Sequence, residues 1–269
     1  MNRPWTIPTR ARRTAALVHA FDLAKDGRYE EAEAQARACQ AAARRLRRGS
    51  RLSITWHAQA IATVMATAHG RGVEMLPEME ALIADRDGIT GSGRFLPLWV
   101  RSARMWVLIG QGRHSEAEAE GQNLLRELTR IKHLVTVWEL ELSVLGMLAW
   151  ALCELGRHDE AEAIARGNLP RADGASAAPL HCCLVRILNG QGRSDEALGE
   201  ARQVTPPQER SQAGHLDLVT ATALYGLGRH SEAAAAARRA LADCEAGLHP
   251  SHPRLSEIRT LLARLEATG

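Results

Sequence analysis

Residues 154–166 read Glu-Leu-Gly-Arg-His-Asp-Glu-Ala-Glu-Ala-Ile-Ala-Arg: an apolar helix end, a Gly-Arg pair, then an alanine-rich stretch spaced for a second helix. The Gly-Arg pair occurs six times before such a stretch, at Gly27-Arg28, Gly70-Arg71, Gly112-Arg113, Gly156-Arg157, Gly192-Arg193 and Gly228-Arg229, with separations of 43, 42, 44, 36 and 36 residues. A pattern that returns every few dozen residues is the mark of stacked repeats, each too small to bury its apolar face alone.

Each copy carries its own turn chemistry. Gly228 can take the positive φ that ends a helix, and Ser231 is placed to cap the next one. Asp159 and Ser194 are the matching caps after Gly156 and Gly192. Ala233, Ala237 and Ala240 then fall three and four apart, on one helix face, where small side chains let two helices approach closely. The same small stripe appears as Ala32 and Ala36, Ala117 and Gly121, Ala161 and Ala165, and Ala197 and Ala201. The Gly70 copy is degenerate, with Met75 in the alanine position. Each copy predicts an antiparallel helix hairpin.

Composition agrees. Hydrophobic residues are 45% and aromatics only 4%, so the core is mostly Ala and Leu, strong helix formers. A net charge of +3 speaks against a nucleic-acid protein, despite basic clusters at Arg10, Arg12 and Arg13 and at Arg44, Arg45, Arg47, Arg48 and Arg51. No apolar run reaches membrane-spanning length, and the N-terminus lacks the apolar stretch of a signal peptide. The five cysteines form no C-x-x-C pair and read as free thiols of a cytoplasmic protein.

The repeat resembles that of the tetratricopeptide repeat family. In that family a small and a large apolar residue end the first helix, a Gly follows, then an aromatic two residues on and an Ala three beyond. Ala149, Leu152, Gly156, His158 and Ala161 match in order, as do Ala20, Leu23, Gly27, Tyr29 and Ala32, and Ala221, Leu224, Gly228, His230 and Ala233. The longer units, and the tail Gly-Leu-His-Pro at 247–250, are similar to the kinesin-light-chain type of repeat. The resemblance implies an all-α, right-handed α-solenoid of six helix hairpins plus a C-terminal capping helix at about 253–267, forming a single domain over 1–269. The Gly-Ser-rich stretch 88–94 is a candidate hinge, and 204–210, with its Pro-Pro, a stiff connector.

The resemblance also implies where a ligand sits. The family's groove-facing positions lie three, six, ten and thirteen residues before the turn Gly. Carried over, they yield Phe21, His57, Val64, Trp99, Trp106, Trp150, Arg186, Asn189, Thr222 and Tyr225 as a ligand-binding groove, apolar and aromatic in its middle. Such a face fits an apolar or amphipathic segment, with Arg186 for an acidic group and Asn189 for a peptide backbone. Trp138 instead shares a core stripe with Leu142, Leu145, Ala149 and Leu152. Leu96, Trp99, Val100, Ala103 and Val107 form a competing stripe that would make Trp99 core and turn Arg101 and Arg104 outward or into the groove.

Catalytic signatures are missing: there is no H-E-x-x-H, phosphate-cradling loop or G-x-S-x-G. Packing accounts for His114, His158 and His230, which share one repeat position, and adjacent Cys182 and Cys183 diverge on a helix, so neither metal nor cofactor is expected. The sequence therefore reads as a non-catalytic protein- or peptide-binding module. Two rivals stay open: a sensor of a small apolar ligand, similar to ligand-receiving segments of bacterial signalling regulators, and an enzyme or its accessory factor using His57, His215, Cys153 and Glu154. A homodimer is a further partner class; nucleic acid and membrane are not expected.

Overall fold

A computed structural model describes residues 9–43, 48–85, 95–131, 137–206 and 209–268. The stretch 88–94, the basic residues 44–47 and part of the 204–210 connector lie outside them. All regular structure among the described residues is helical, an all-α solenoid of paired helices. The chain divides into two compact units, Met1–Ala103 and Arg104–Gly269, with the boundary inside one helix.

In the first unit, α1 (Thr9–Lys25) and α2 (Tyr29–Ala43) form one pair, and α3 (Arg48–Ala66) and α4 (Gly72–Ala84) the next. Ala20, Ala32 and Ala36 are wholly buried, so the small stripe is where helices meet. The degenerate Gly70 turn departs from the others. The chain kinks at Gly70, φ 117°, within Thr67–Arg71, where α3 gives way to α4. Met75, in the alanine position, is only partly buried, and its Sδ lies 3.7 Å from Arg37 Nη2. Arg37 binds Glu78 through both Nη1 and Nη2, at 2.5 and 2.7 Å, and Arg71 pairs with Glu33. Helix α5 (Phe95–Gly110) begins in this unit.

In the second unit α6 (His114–Ile131) follows α5, then α7 (Trp138–Glu154) with α8 (His158–Asn168), α9 (Gly174–Gly190) with α10 (Ser194–Ala201), and α11 (His215–Gly226) with α12 (His230–Gly247). Helix α13 (Pro253–Thr268) closes the series and buries Leu255, Ile258, Leu261 and Leu265. The small stripe again sets the packing distance. A Cβ on Gly121 would lie 2.7 Å from Met105 Cε, so a larger residue would require the end of Met105 to shift.

Five turns share one geometry. Gly27, Gly112, Gly156, Gly192 and Gly228 have φ between 70° and 77°. The N–H of Gly156 donates to the Cys153 carbonyl at 2.9 Å, and that of Arg157 to the Leu152 carbonyl at 2.9 Å; the other four turns repeat both bonds. This is the Schellman closure, which satisfies carbonyls the helix leaves free.

The caps differ from expectation. Asp159 and Ser231 lie within the first turn of their helices and Ser194 begins its own, while the cap residue is the arginine of the pair, with no side-chain cap bond. The arginine instead grips the glutamate three residues on: Arg157–Glu160 at 2.6 Å, Arg193–Glu196 at 2.5 Å and Arg229–Glu232 at 2.6 Å. A carboxylate in the first turn also suits the positive end of the helix dipole. In three units the same arginine reaches the preceding pair, at the glutamate six after its glycine: Arg71 to Glu33, Arg157 to Glu118 at 2.6 Å, and Arg193 to Glu162 at 2.6 Å. The Gly-Arg pair thus closes one helix and stitches its repeat to the one before.

Candidate binding site

Within the second unit, the first helices of consecutive pairs bring four side chains together. Trp106 of α5 meets Trp150 of α7 edge-on, with ring centroids 5.2 Å apart. His215 of α11 stacks on Trp150 at 6.2 Å. The guanidinium carbon of Arg186, on α9, sits 4.3 Å from the centroid of the Trp150 ring, a cation–π arrangement. Both tryptophans are partly exposed, whereas His215 is buried at 5%.

The acidic partners of Arg186 come from the chain itself. Its Nη1 lies 2.7 Å from Glu257 Oε1, on α13, and 3.7 Å from Glu154 Oε1. Trp150 Nε1 donates to the same Glu154 oxygen at 3.1 Å. Burial works against the charge of Arg186, but Glu257 and Glu154 outweigh it and hold the guanidinium charged, above its ordinary value. The carboxylate expected from a ligand is thus already in place, from the end of the chain.

The start of α13 is anchored beside this cluster. Arg254, 4% exposed, donates through Nη1 to the Ser211 and Ala213 carbonyls at 3.1 and 2.7 Å. Pro253 packs on α5, its Cγ 3.1 Å from where a Cβ on Gly110 would stand. His215 is held neutral: burial first, then Arg254, Arg186 and His252, push it well below the ordinary histidine value.

The other predicted residues have these surroundings, each within its own unit. Phe21 stacks on Trp99 at 5.3 Å within the first unit. His57 Nδ1 lies 2.7 Å from the Ser53 carbonyl, and its ring meets Trp56 edge-on at 5.7 Å. Val64 is buried at 6%. Asn189 Nδ2 donates to the Val219 carbonyl at 3.0 Å, tying α9 to α11, and its Oδ1 is buried without a partner among the described residues. Thr222 Oγ1 donates to the Leu218 carbonyl at 3.0 Å, in its own helix, and Tyr225 stacks on His230 at 5.5 Å. Trp138 is partly exposed, and Arg104 pairs with Glu120 at 3.2 Å.

From the sequence His215 is both a groove position and a titratable candidate, Glu154 is a titratable candidate only, and nothing signals Glu257. His215 stands thirteen residues before Gly228, a groove position in the resemblance. The pairing of Glu257 depends on where α13 lands, which no local pattern carries.

Burial shifts three thiols of this unit away from the thiolate form. Cys153 Sγ lies 3.5 Å from His158 Nδ1, yet burial, with Glu154 adding to it, pushes the thiol up to about 11. Burial pushes Cys182 and Cys183 up to about 12. An activated cysteine needs the opposite shift. Among the described residues no group of three or more His, Cys, Asp or Glu is arranged to hold a metal. No described helix is long and apolar enough to cross a membrane.

One tetratricopeptide repeat family model matches residues 98–120, 142–166 and 178–203, and a second matches residues 221–254. No curated protein matches the chain. Among solved structures the fold is similar to that of a Rap protein complexed with competence and sporulation factor, with a TM-score of 0.66 at 13% identity over 96% of this chain and 72% of that one. It is also similar to the apo form of RapI, with a TM-score of 0.55 at 12% identity over 95% of this chain and 71% of that one. Identities this low speak to the fold alone. Repeat matches, Schellman turns and small-residue helix contacts agree that the matched stretches between residues 98 and 254 are tetratricopeptide repeats.

Proposed function

We propose that this chain is a non-catalytic module that binds a peptide or protein segment on the face built by α5, α7, α9 and α11. One observation carries the reading. Two partly exposed tryptophans, a buried histidine and a charged arginine from four first helices converge on one spot. A site preorganised on packed helices loses little ordering entropy on binding. Aromatic rings beside a guanidinium are the side chains that most often anchor partners. The similar Rap fold crystallised with a bound factor is consistent with this use. The five buried free thiols fit a reducing compartment, and we place the module in the cytoplasm.

A random octapeptide library panned on the immobilised full chain tests this. Peptides that are retained should change tryptophan emission on binding. Trp150→Ala should weaken them about tenfold, or about 1.4 kcal/mol, with the helical circular dichroism intact. Trp150→Phe, which keeps a ring over Arg186, should recover part of the loss. Retained peptides that bind Trp150→Ala and wild type equally would contradict the proposal.

A further inference from the structure

The four charged side chains around Trp150 balance in number but not in depth. The two cations lie inside: Arg254 is 4% exposed and spends Nη1 on two carbonyls, and the Arg186 side chain is 15% exposed beneath two carboxylates. The anions lie outside, with Glu154 and Glu257 side chains 37% and 40% exposed. The next cation along α13, Arg259, is engaged by Glu245 at 3.0 Å. Beside the exposed parts of Trp106 and Trp150, the cluster therefore presents carboxylates to solvent.

An acidic ligand would have to take Glu257 off Arg186. That carboxylate is tethered, so its effective concentration is high, and the newcomer would also face Glu154. A basic ligand displaces nothing. The contacts to Arg186 and Trp150 run through Oε1 of each glutamate, and a carboxylate offers a second oxygen with lone pairs to spare.

Resting on the reading above, we infer that the segment bound here is basic and apolar: its Arg or Lys pairs with Glu154 and Glu257 while an apolar side chain packs on Trp106 and Trp150. Arg186 is then not the reader of the ligand. It is the internal counter-ion that holds the two carboxylates in place and keeps the Trp150 ring oriented.

Two equimolar octapeptide mixtures test this on the full chain, one built from Arg, Leu, Gly and Ser, the other from Glu, Leu, Gly and Ser. The arginine mixture should be retained about tenfold over the glutamate mixture, and retention should fall as salt rises from 0.05 to 0.5 M, because exposed pairs are screened. The double variant Glu154→Gln, Glu257→Gln should lose about tenfold of the retention. If that variant fails to fold, the wild-type salt series decides: retention that does not change with salt overturns the inference. Preferential retention of the glutamate mixture, quenching the tryptophans, would overturn the charge preference and leave the peptide-binding reading standing. If neither mixture is retained or perturbs tryptophan emission, both fail.

Discussion

At five turns an arginine N–H reaches back five residues to a leucine carbonyl, and only a left-handed residue between them lets it do so. Gly156 is one of these, and nothing within 4 Å would touch a Cβ added there, so its cost is conformational alone. Gly156→Ala should therefore lower stability by about 1 kcal/mol. Gly214 makes a contrast. It also has positive φ, at 67°, but a Cβ would overlap the Ala240 carbonyl oxygen and crowd Cys244 Sγ at 2.7 Å. Gly214→Ala should cost about 3 kcal/mol or more, since steric overlap adds to the backbone penalty. Urea denaturation followed by circular dichroism separates the two, and equal losses would show that overlap at Gly214 is relieved elsewhere.

Between elements, the arginine of one turn and the glutamate of the preceding second helix join neighbouring repeats. Glu162 of α8 shows it most fully, accepting from Arg166 at 2.7 Å, from Arg193 at 2.6 Å and from Gln191 at 3.0 Å. Burial alone would raise its carboxyl, but those three donors together hold it down to about 2. A carboxyl whose folded value is depressed contributes stability present above its unfolded value, near 4.3, and lost as pH falls towards 2. Glu162→Gln should thus lower the urea midpoint at pH 7, and the gap from wild type should close between pH 4.5 and 2. A gap that stays constant over that window would contradict the pairing. This stitching was half legible. The glycines and the alanine stripe announce the hairpins because their physics is local: a φ sign and a side-chain volume. The caps were misassigned to Ser231 and Asp159 because the arginine, whose carbonyl accepts the first helical bond, does not look like a cap, and its role depends on glutamates in another repeat.

At the scale of the whole chain, the repeat frame is what lets residues far apart in sequence share one site. Trp106, Trp150 and Arg186 were legible as groove positions through the family resemblance, since each stands six residues before a turn glycine. Glu257 was not, because its place is decided by how α13 docks through Leu255, Ile258, Leu261 and Leu265. Within the first unit Phe21 and Trp99 stack on each other, and Val64 is buried. The most direct test is fluorine NMR of the full chain labelled with 5-fluorotryptophan, each resonance assigned by single Trp→Phe substitution. Titrated with the arginine–leucine octapeptide mixture, the resonances of Trp106 and Trp150 should shift together, while that of Trp56, 3% exposed, stays in place. Peptide binding that moves other tryptophans and leaves Trp106 and Trp150 unchanged would contradict the site.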